Sequence, residues 1–232
     1  MSRAYKKLFS ILGDSISTLF GYSEPMDASY YVDMMKHVAN VHVPADTWWG
    51  MVIERLDGEL LVNNSIYGST VIKHQSCEVP SYGCSKERTS ALDRAGQKPD
   101  VIMIFLGMND WGYGINPADS SDTGADLSVF NVAYFKMVDR LKRNYPRAEI
   151  WCITPFVGIC REKSDLEVRY SHGGHHIEEY CEVIRLCAEK CGGVLIDLYN
   201  HPIKIDTVDG YHPNKEGMKV IADCVISSCA QN

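Results

Sequence analysis

Tyr5-Lys6-Lys7-Leu8-Phe9-Ser10-Ile11-Leu12-Gly13-Asp14-Ser15-Ile16-Ser17 is the stretch on which the reading of this chain turns. Tyr5 to Leu12 is a short apolar run of the kind that forms a buried strand. It breaks at Gly13-Asp14-Ser15, which delivers a serine hydroxyl to the carboxyl end of a sheet. In open α/β folds that edge is where sites are built. A serine hydroxyl is a weak nucleophile unless a base lies beside it. The remainder of the chain must therefore be searched for a base and for hydrogen-bond donors.

Working outward, Asp46 is placed to cap a helix over Thr47 to Leu56, stopped near Gly58. Leu60 to Asn63 reads as a strand leading into the loop Asn64 to Thr70, and Lys86 to Ala95 as a helix ending at Gly96. Asp100 to Leu106 is the clearest central strand, because its unbroken apolar run suits a parallel strand buried on both faces. It runs into Gly107-Met108-Asn109-Asp110 and a polar insertion from Trp111 to about Asp126. Ser128 can cap a helix reaching Tyr145, followed by a strand over Glu149 to Thr154. An irregular stretch from Pro155 to Gly174 then precedes a helix through Ile177 to Ala188, and Val194 to Leu198 is a fifth strand. The loop from Tyr199 carries Asp209-Gly210-Tyr211-His212-Pro213, and Asn214 caps a final helix. Strands alternating with helices predict an α/β fold with a mostly parallel sheet. With no internal repeat and no linker, residues 1–232 are expected to form a single domain.

Composition narrows the function. The chain has 232 residues, of which 45% are hydrophobic and 23% charged, as in ordinary globular domains. A net charge of −7 argues against a nucleic-acid partner, which would want a basic stripe. No apolar run is long enough for a membrane span, and no signal-peptide pattern precedes the first strand, so a cytoplasmic location is expected. The nine cysteines form no C-x-x-C pair and match no zinc spacing, which predicts reduced thiols filling apolar gaps.

Four short segments stand out, each after an expected strand or just before the last helix. Gly13-Asp14-Ser15-Ile16, the loop Asn63 to Thr70 with Gly68, Gly107-Met108-Asn109-Asp110, and Asp209-x-x-His212-Pro213 occur in that order. Together they resemble the SGNH hydrolases, the GDSL-type esterases and lipases, over nearly the whole chain. Ile16 stands where leucine is commonest in that family, and Ser65 where a first glycine is usual. The resemblance implies a three-layer α/β/α sandwich around a flavodoxin-like, mostly parallel five-stranded sheet. It implies Ser15 as nucleophile, His212 as general base and Asp209 as its carboxylate partner. Backbone N–H groups of Ser15 and Gly68 and the Asn109 amide would form an oxyanion hole. No metal and no organic cofactor are implied.

The chemistry of the residues agrees with that assignment. Asp209 lies three residues before His212, close enough to curl back and accept from Nδ1, fixing the tautomer. An oxyanion needs preorganised donors, and a glycine lets a loop bring bare backbone against a carbonyl. In a flavodoxin-like strand order, the ligand crevice lies between the first and third strands. Ser15 follows the first strand and Asn109 the third.

Each segment alone also reads as plain structure. Gly-Asp-Ser is a common helix-start tripeptide, and Asp-Gly-Tyr-His-Pro-Asn a good turn before a capped helix. His172, Gly173, Gly174, His175 and His176 suggest a metal tract, but no spacing completes a ligand set, so a loop and helix start is the expectation. Trp48 and Trp49 are expected in the core or a pocket wall, with stacking on a carbohydrate as the alternative. Asp206 is a second candidate acid for His212. The α/β-hydrolase pattern G-x-S-x-G is not met at Gly13 to Ser17. The expected activity is a serine esterase forming an acyl-enzyme from small carboxylic esters with short acyl groups, acylated carbohydrates included. An acyltransferase using the same acyl-enzyme and a non-catalytic binding module on the same fold stand as alternatives.

Overall fold

Seven strands and seven helices organise the computed structural model, which describes residues 6–74, 82–118, 126–160 and 174–230. The strands are β1 (Leu8–Gly13), β2 (Glu59–Ser65), β3 (Val101–Phe105), β4 (Glu149–Ile153), β5 (Gly158–Ile159), β6 (Val194–Ile196) and β7 (Ile205–Asp206). The helices are α1 (Asp33–Ala39), α2 (Trp48–Arg55), α3 (Lys86–Thr89), α4 (Met108–Gly112), α5 (Phe130–Asn144), α6 (Ile177–Cys191) and α7 (Lys215–Cys229). Five strands form a parallel sheet in the order β2-β1-β3-β4-β6. That is the flavodoxin-like winding that the resemblance implied. Every residue of β3 is buried, as a strand covered on both faces requires. Helices α2 and α7 pack together on one side of the sheet, and α5 and α6 on the other.

Register brings the strand ends level. Gly13 pairs with both Ser65 and Phe105, Phe105 with Ile153, and Ile153 with Ile196. The loops after β1, β2 and β3 therefore leave the sheet along one edge. Winding reverses between β1 and β3, so the crevice of a doubly wound sheet falls there. Apart from the sheet, β5 and β7 make a two-residue parallel pair.

Several local expectations are corrected. Helix α1 stands where the sequence offers no helical signal: only Ala39 is buried, and Met34 and Val38 face solvent, so no apolar period marks it. It ends at Asn40 in the left-handed conformation, a usual C-terminal signal. The cap of α2 is Thr47, whose Oγ1 accepts from Gly50 N at 3.0 Å. Asp46 instead closes the preceding turn, accepting from His42 N and Val43 N. Helix α3 stops at Thr89 rather than near Ala95. Leu92 has both backbone groups engaged elsewhere, donating to Tyr145 Oη at 2.9 Å and accepting from Ser10 Oγ at 2.8 Å. Ser128 does not cap α5. The first N–H groups of that helix, on Phe130 and Asn131, donate to the carbonyls of Asn116 and Pro117.

Trp48 and Trp49 are fully buried, and their indole N–H groups donate to Ser17 Oγ and Ser17 O. They offer no free face to a sugar. The eight described cysteines are free thiols, six of them buried. Parts of the two loop insertions, with His172, Gly173 and Cys77, lie outside the described residues.

Candidate active site

Ser15 begins a single 3-10 turn, Ser15–Ser17, directly after β1. Asp14 caps that turn, its carboxylate accepting from Ile16 N at 3.0 Å. The Ser15 hydroxyl is thereby held at the strand end. At the other end of the chain, Asp209 Oδ1 accepts from Tyr211 N at 3.0 Å and His212 N at 2.8 Å. This is the Asx-type turn that aspartate favours. Asp209 Oδ2 lies 2.7 Å from His212 Nδ1, and His212 Nε2 lies 2.9 Å from Ser15 Oγ. Asp206, the other candidate acid, is not a partner of His212 in this arrangement; its backbone carbonyl accepts from Asn214 N.

Charge fixes the proton positions in this row. Burial raises the Asp209 carboxyl, but hydrogen bonding to His212, electrostatic attraction to its imidazole and two backbone N–H groups outweigh it and hold the group well below the usual carboxylate range. An ionised carboxylate only accepts. His212 Nδ1 must then carry a hydrogen, which leaves Nε2 to accept from the Ser15 hydroxyl. The turn is supported from β5 and β7. Gly210 N donates to Thr207 Oγ1, which itself donates to Ile159 O. A Cβ on Gly158 would lie 2.4 Å from Gly210 O, so only glycine lets β5 pass this close.

Asn109 sits in the first turn of α4, across the β1–β3 crevice. Its Nδ2 donates to Ser69 O at 2.9 Å and approaches Asp14 Oδ2 at 3.4 Å. Gly68 precedes Ser69 with φ of +71°, while nothing lies within 4 Å of where its Cβ would be. Glycine is needed at 68 for the backbone conformation, not for lack of room. The cleft itself measures about 300 Å³ and is lined by Ser15, Ile16, Met108, Asn109, Tyr211 and His212, among others. Gly68 is not among its lining residues and joins the site through the Asn109–Ser69 bond. Larger grooves flank α2 (about 480 Å³) and the α5–α6 face (about 500 Å³), but neither sets a nucleophile beside a base.

Arg88 and Tyr30 meet the site without any signal in the sequence, and Asp14 and Asp110, quoted there only as parts of their segments, take buried positions beside it. Arg88, in the four-residue α3, is buried and donates to Gly13 O at 2.9 Å, Asn64 O at 2.6 Å and Asn64 Oδ1 at 2.8 Å. It also donates to Ser69 Oγ. A single arginine in a helical segment ordinarily reads as solvated. Asp110 is fully buried, accepting from Val71 N and Ile72 N, and burial pushes its carboxyl up to about 7 against those bonds. Asp14 is pushed up to about 7 by burial, opposed by the Ile16 N–H, reinforced by Asp110 and opposed again by Arg88. Tyr30 lies flat on the His212 ring. Of the histidine tract, His176 caps α6 in a reciprocal box with Glu179, and His175 approaches Glu179 at 3.3 Å. Among the described residues no group of three histidine, cysteine or carboxylate side chains is arranged to hold a metal.

Comparison with known proteins adds an independent finding. The profile described as GDSL-like Lipase/Acylhydrolase matches residues 7–167, which takes in Ser15, Gly68 and Asn109 and stops short of Asp209 and His212. No curated protein sequence matches. A crystal structure from Bacteroides uniformis, described as a GDSL-like lipase, is 30% identical with a TM-score of 0.73, covering 99% of this chain and 98% of that one. One from Bacteroides ovatus, described in the same way, is 26% identical with a TM-score of 0.75, covering 98% and 100%. An acetyl-xylooligosaccharide esterase from Geobacillus is 19% identical with a TM-score of 0.60, covering 96% and 93%, a likeness of fold.

Proposed function

Since the chain belongs to the GDSL-like lipase/acylhydrolase family, we propose that it is a serine esterase acting on small carboxylic esters through an acyl-enzyme. The observation that carries this reading is the unbroken row Asp209–His212–Ser15, at 2.7 and 2.9 Å, opening into a cleft beside Asn109. Ser15 Oγ attacks the ester carbonyl while its proton passes to His212 Nε2. The imidazolium formed is stabilised by the ionised Asp209. The tetrahedral oxyanion takes hydrogen bonds from Ser15 N, Gly68 N and the Asn109 amide. Asn109 has two amide hydrogens: Ser69 O takes one at 2.9 Å, and the oxyanion competes with Asp14 Oδ2, at 3.4 Å, for the other. His212 then returns the proton to the leaving alcohol, activates a water by the same route, and acetate or a similar acid departs.

Size and lining support the substrate class. A cleft of about 300 Å³ is at the small end for ligand sites, which suits a short acyl group. The partly exposed rings of Tyr67 and Tyr113, stacked on Tyr30 and His74 respectively, offer apolar surface for the alcohol portion. Ser15 and His212 come from opposite ends of the chain, which supports one domain over the whole length. The test is hydrolysis of p-nitrophenyl esters of rising chain length and of acetylated sugars by wild type and Ser15→Ala. Wild type should favour acetate over long chains, and Ser15→Ala should lose about 10⁴-fold or more in kcat with its thermal midpoint nearly unchanged. Full turnover in Ser15→Ala would overturn the assignment, and so would no hydrolysis of any ester by wild type.

A further inference from the structure

Tyr30 faces the imidazole of His212 with ring centroids 3.5 Å apart and planes within 7°. Its hydroxyl donates to Asp209 Oδ2 at 3.2 Å, the same oxygen that meets His212 Nδ1. One side chain therefore touches both members of the pair, one by its face and the other by its edge. We propose that Tyr30 is a positioning residue for this pair, fixing the imidazole plane and stabilising the imidazolium; the proposal rests on the catalytic reading of Ser15, His212 and Asp209 given above.

The backbone around Tyr30 is tied to three parts of the site. Tyr30 N donates to Thr18 Oγ1 at 2.9 Å, and that hydroxyl donates to Ser15 O at 2.8 Å. The buried Tyr31 packs edge-on against Tyr30 at 5.1 Å and donates from its hydroxyl to Pro213 O at 2.7 Å. Tyr67 N, beside Gly68, donates to Ala28 O at 2.7 Å. Residues 28–31 thus bridge the nucleophile turn, the turn that carries His212, and the Gly68 loop. A residue held this firmly can impose a plane on its neighbour.

Two physical effects follow. Hydrogen bonds along the row leave the imidazole free to tilt about the Asp209–Ser15 line, and a parallel ring at 3.5 Å removes that freedom. When the Ser15 proton reaches His212, the cation formed lies on the negative face of a π system, a favourable arrangement. The hydroxyl acts in the opposite sense on charge, because its bond to Asp209 tempers the carboxylate. Burial first, and the Asp209 charge second, hold the Tyr30 hydroxyl above its usual ionisation range, so it remains a donor at neutral pH.

Tyr30→Phe and Tyr30→Leu separate the two effects on a soluble acetate ester. Tyr30→Phe keeps the ring but frees it from Asp209, and the loss of positioning should lower kcat about fivefold, a change on the scale of one hydrogen bond. Tyr30→Leu removes both and should lower kcat about fiftyfold. KM should change little in either variant. The pH midpoint of kcat/KM should rise in Tyr30→Phe, where the untempered carboxylate favours imidazolium, and should lie lower in Tyr30→Leu than in Tyr30→Phe, where the π face is gone. Folded fraction, measured by circular dichroism at the assay temperature, guards against a loss that is only structural. Unchanged kcat and midpoint in both variants, or a loss matched by the unfolded fraction, would overturn the proposal. Hydrolysis that survives Ser15→Ala would overturn the underlying site reading and this proposal with it. Hydrolysis that needs Ser15 but not Tyr30 would overturn this proposal alone.

Discussion

Asp209 has two separate tasks, and a single substitution can divide them. Its Oδ1 closes the turn through two backbone N–H groups, while its Oδ2 meets the imidazole. Asn at this position can still accept at Oδ1 and keep the turn. It cannot supply the charge, and its amide would present a donor to Nδ1, favouring the wrong tautomer. Asp209→Asn should therefore lower kcat by about 10³- to 10⁴-fold with the thermal midpoint close to wild type. Steady-state kinetics and a melting curve on the same preparation check this. A plateau rate within tenfold of wild type would remove Asp209 from the mechanism. This part of the site is legible in the sequence because it is local: three residues separate acid from base, and a turn closes that gap. Tyr30 gives no such signal, because its ring reaches His212 across 182 positions of chain and nothing in Ser29-Tyr30-Tyr31 specifies the meeting.

At the scale of elements, the four-residue α3 ties two strand ends and the Gly68 loop together. Arg88 in α3 joins the end of β1 at Gly13, the end of β2 at Asn64, and Ser69 next to Gly68. Asn109, at the start of α4, adds the loop after β3 through Ser69 O. Burial lowers the guanidinium to about 9, with the nearby Asp14 pulling it back up. Removing one member of a buried polar set leaves the others without partners. Arg88→Met, which keeps much of the volume, should cost about 3 kcal/mol and reduce activity more than Arg88→Lys. Chemical denaturation with an activity assay at low temperature measures both. A stability change well under 1 kcal/mol would mean that the strand-end loops hold their places unaided. Helix α7 shows the opposite case, a boundary fixed by its own sequence. Asn214 Oδ1 accepts from Gly217 N at 3.0 Å, as Asn-Lys-Glu-Gly suggested. Helices α3 and α5 were misjudged at their ends because remote groups, Ser10 and Tyr145 for one and the Asn116 and Pro117 carbonyls for the other, supply or remove the terminal bonds.

The whole molecule carries a pH dependence through Asp14 and Asp110. Burial raises both from an unfolded value near 3.8 to about 7. Between those values the folded chain keeps protons that the unfolded chain has released. The stability they contribute is complete below the unfolded value and is lost as pH rises through about 7. The thermal midpoint of wild type should fall between about pH 5 and 8, and Asp110→Asn, which can still accept from Val71 N and Ile72 N, should fall less steeply. Scanning calorimetry across that range decides, and equal slopes in the two proteins would contradict the raised carboxyls. The winding of the sheet was implied only through the family resemblance, whereas by itself the sequence determined the alternation of strands and helices and the order of the four segments. Those follow from apolar periodicity and from glycine and proline at strand exits, which act over a few residues. Tertiary structure alone decided which distant groups surround the serine: the guanidinium of Arg88 beneath its loop, the carboxyl of Asp110 behind it, and the ring of Tyr30 on its base. Burial is what gives these groups their shifted ionisation and fixed direction, and burial belongs to the folded chain as a whole rather than to any stretch of it.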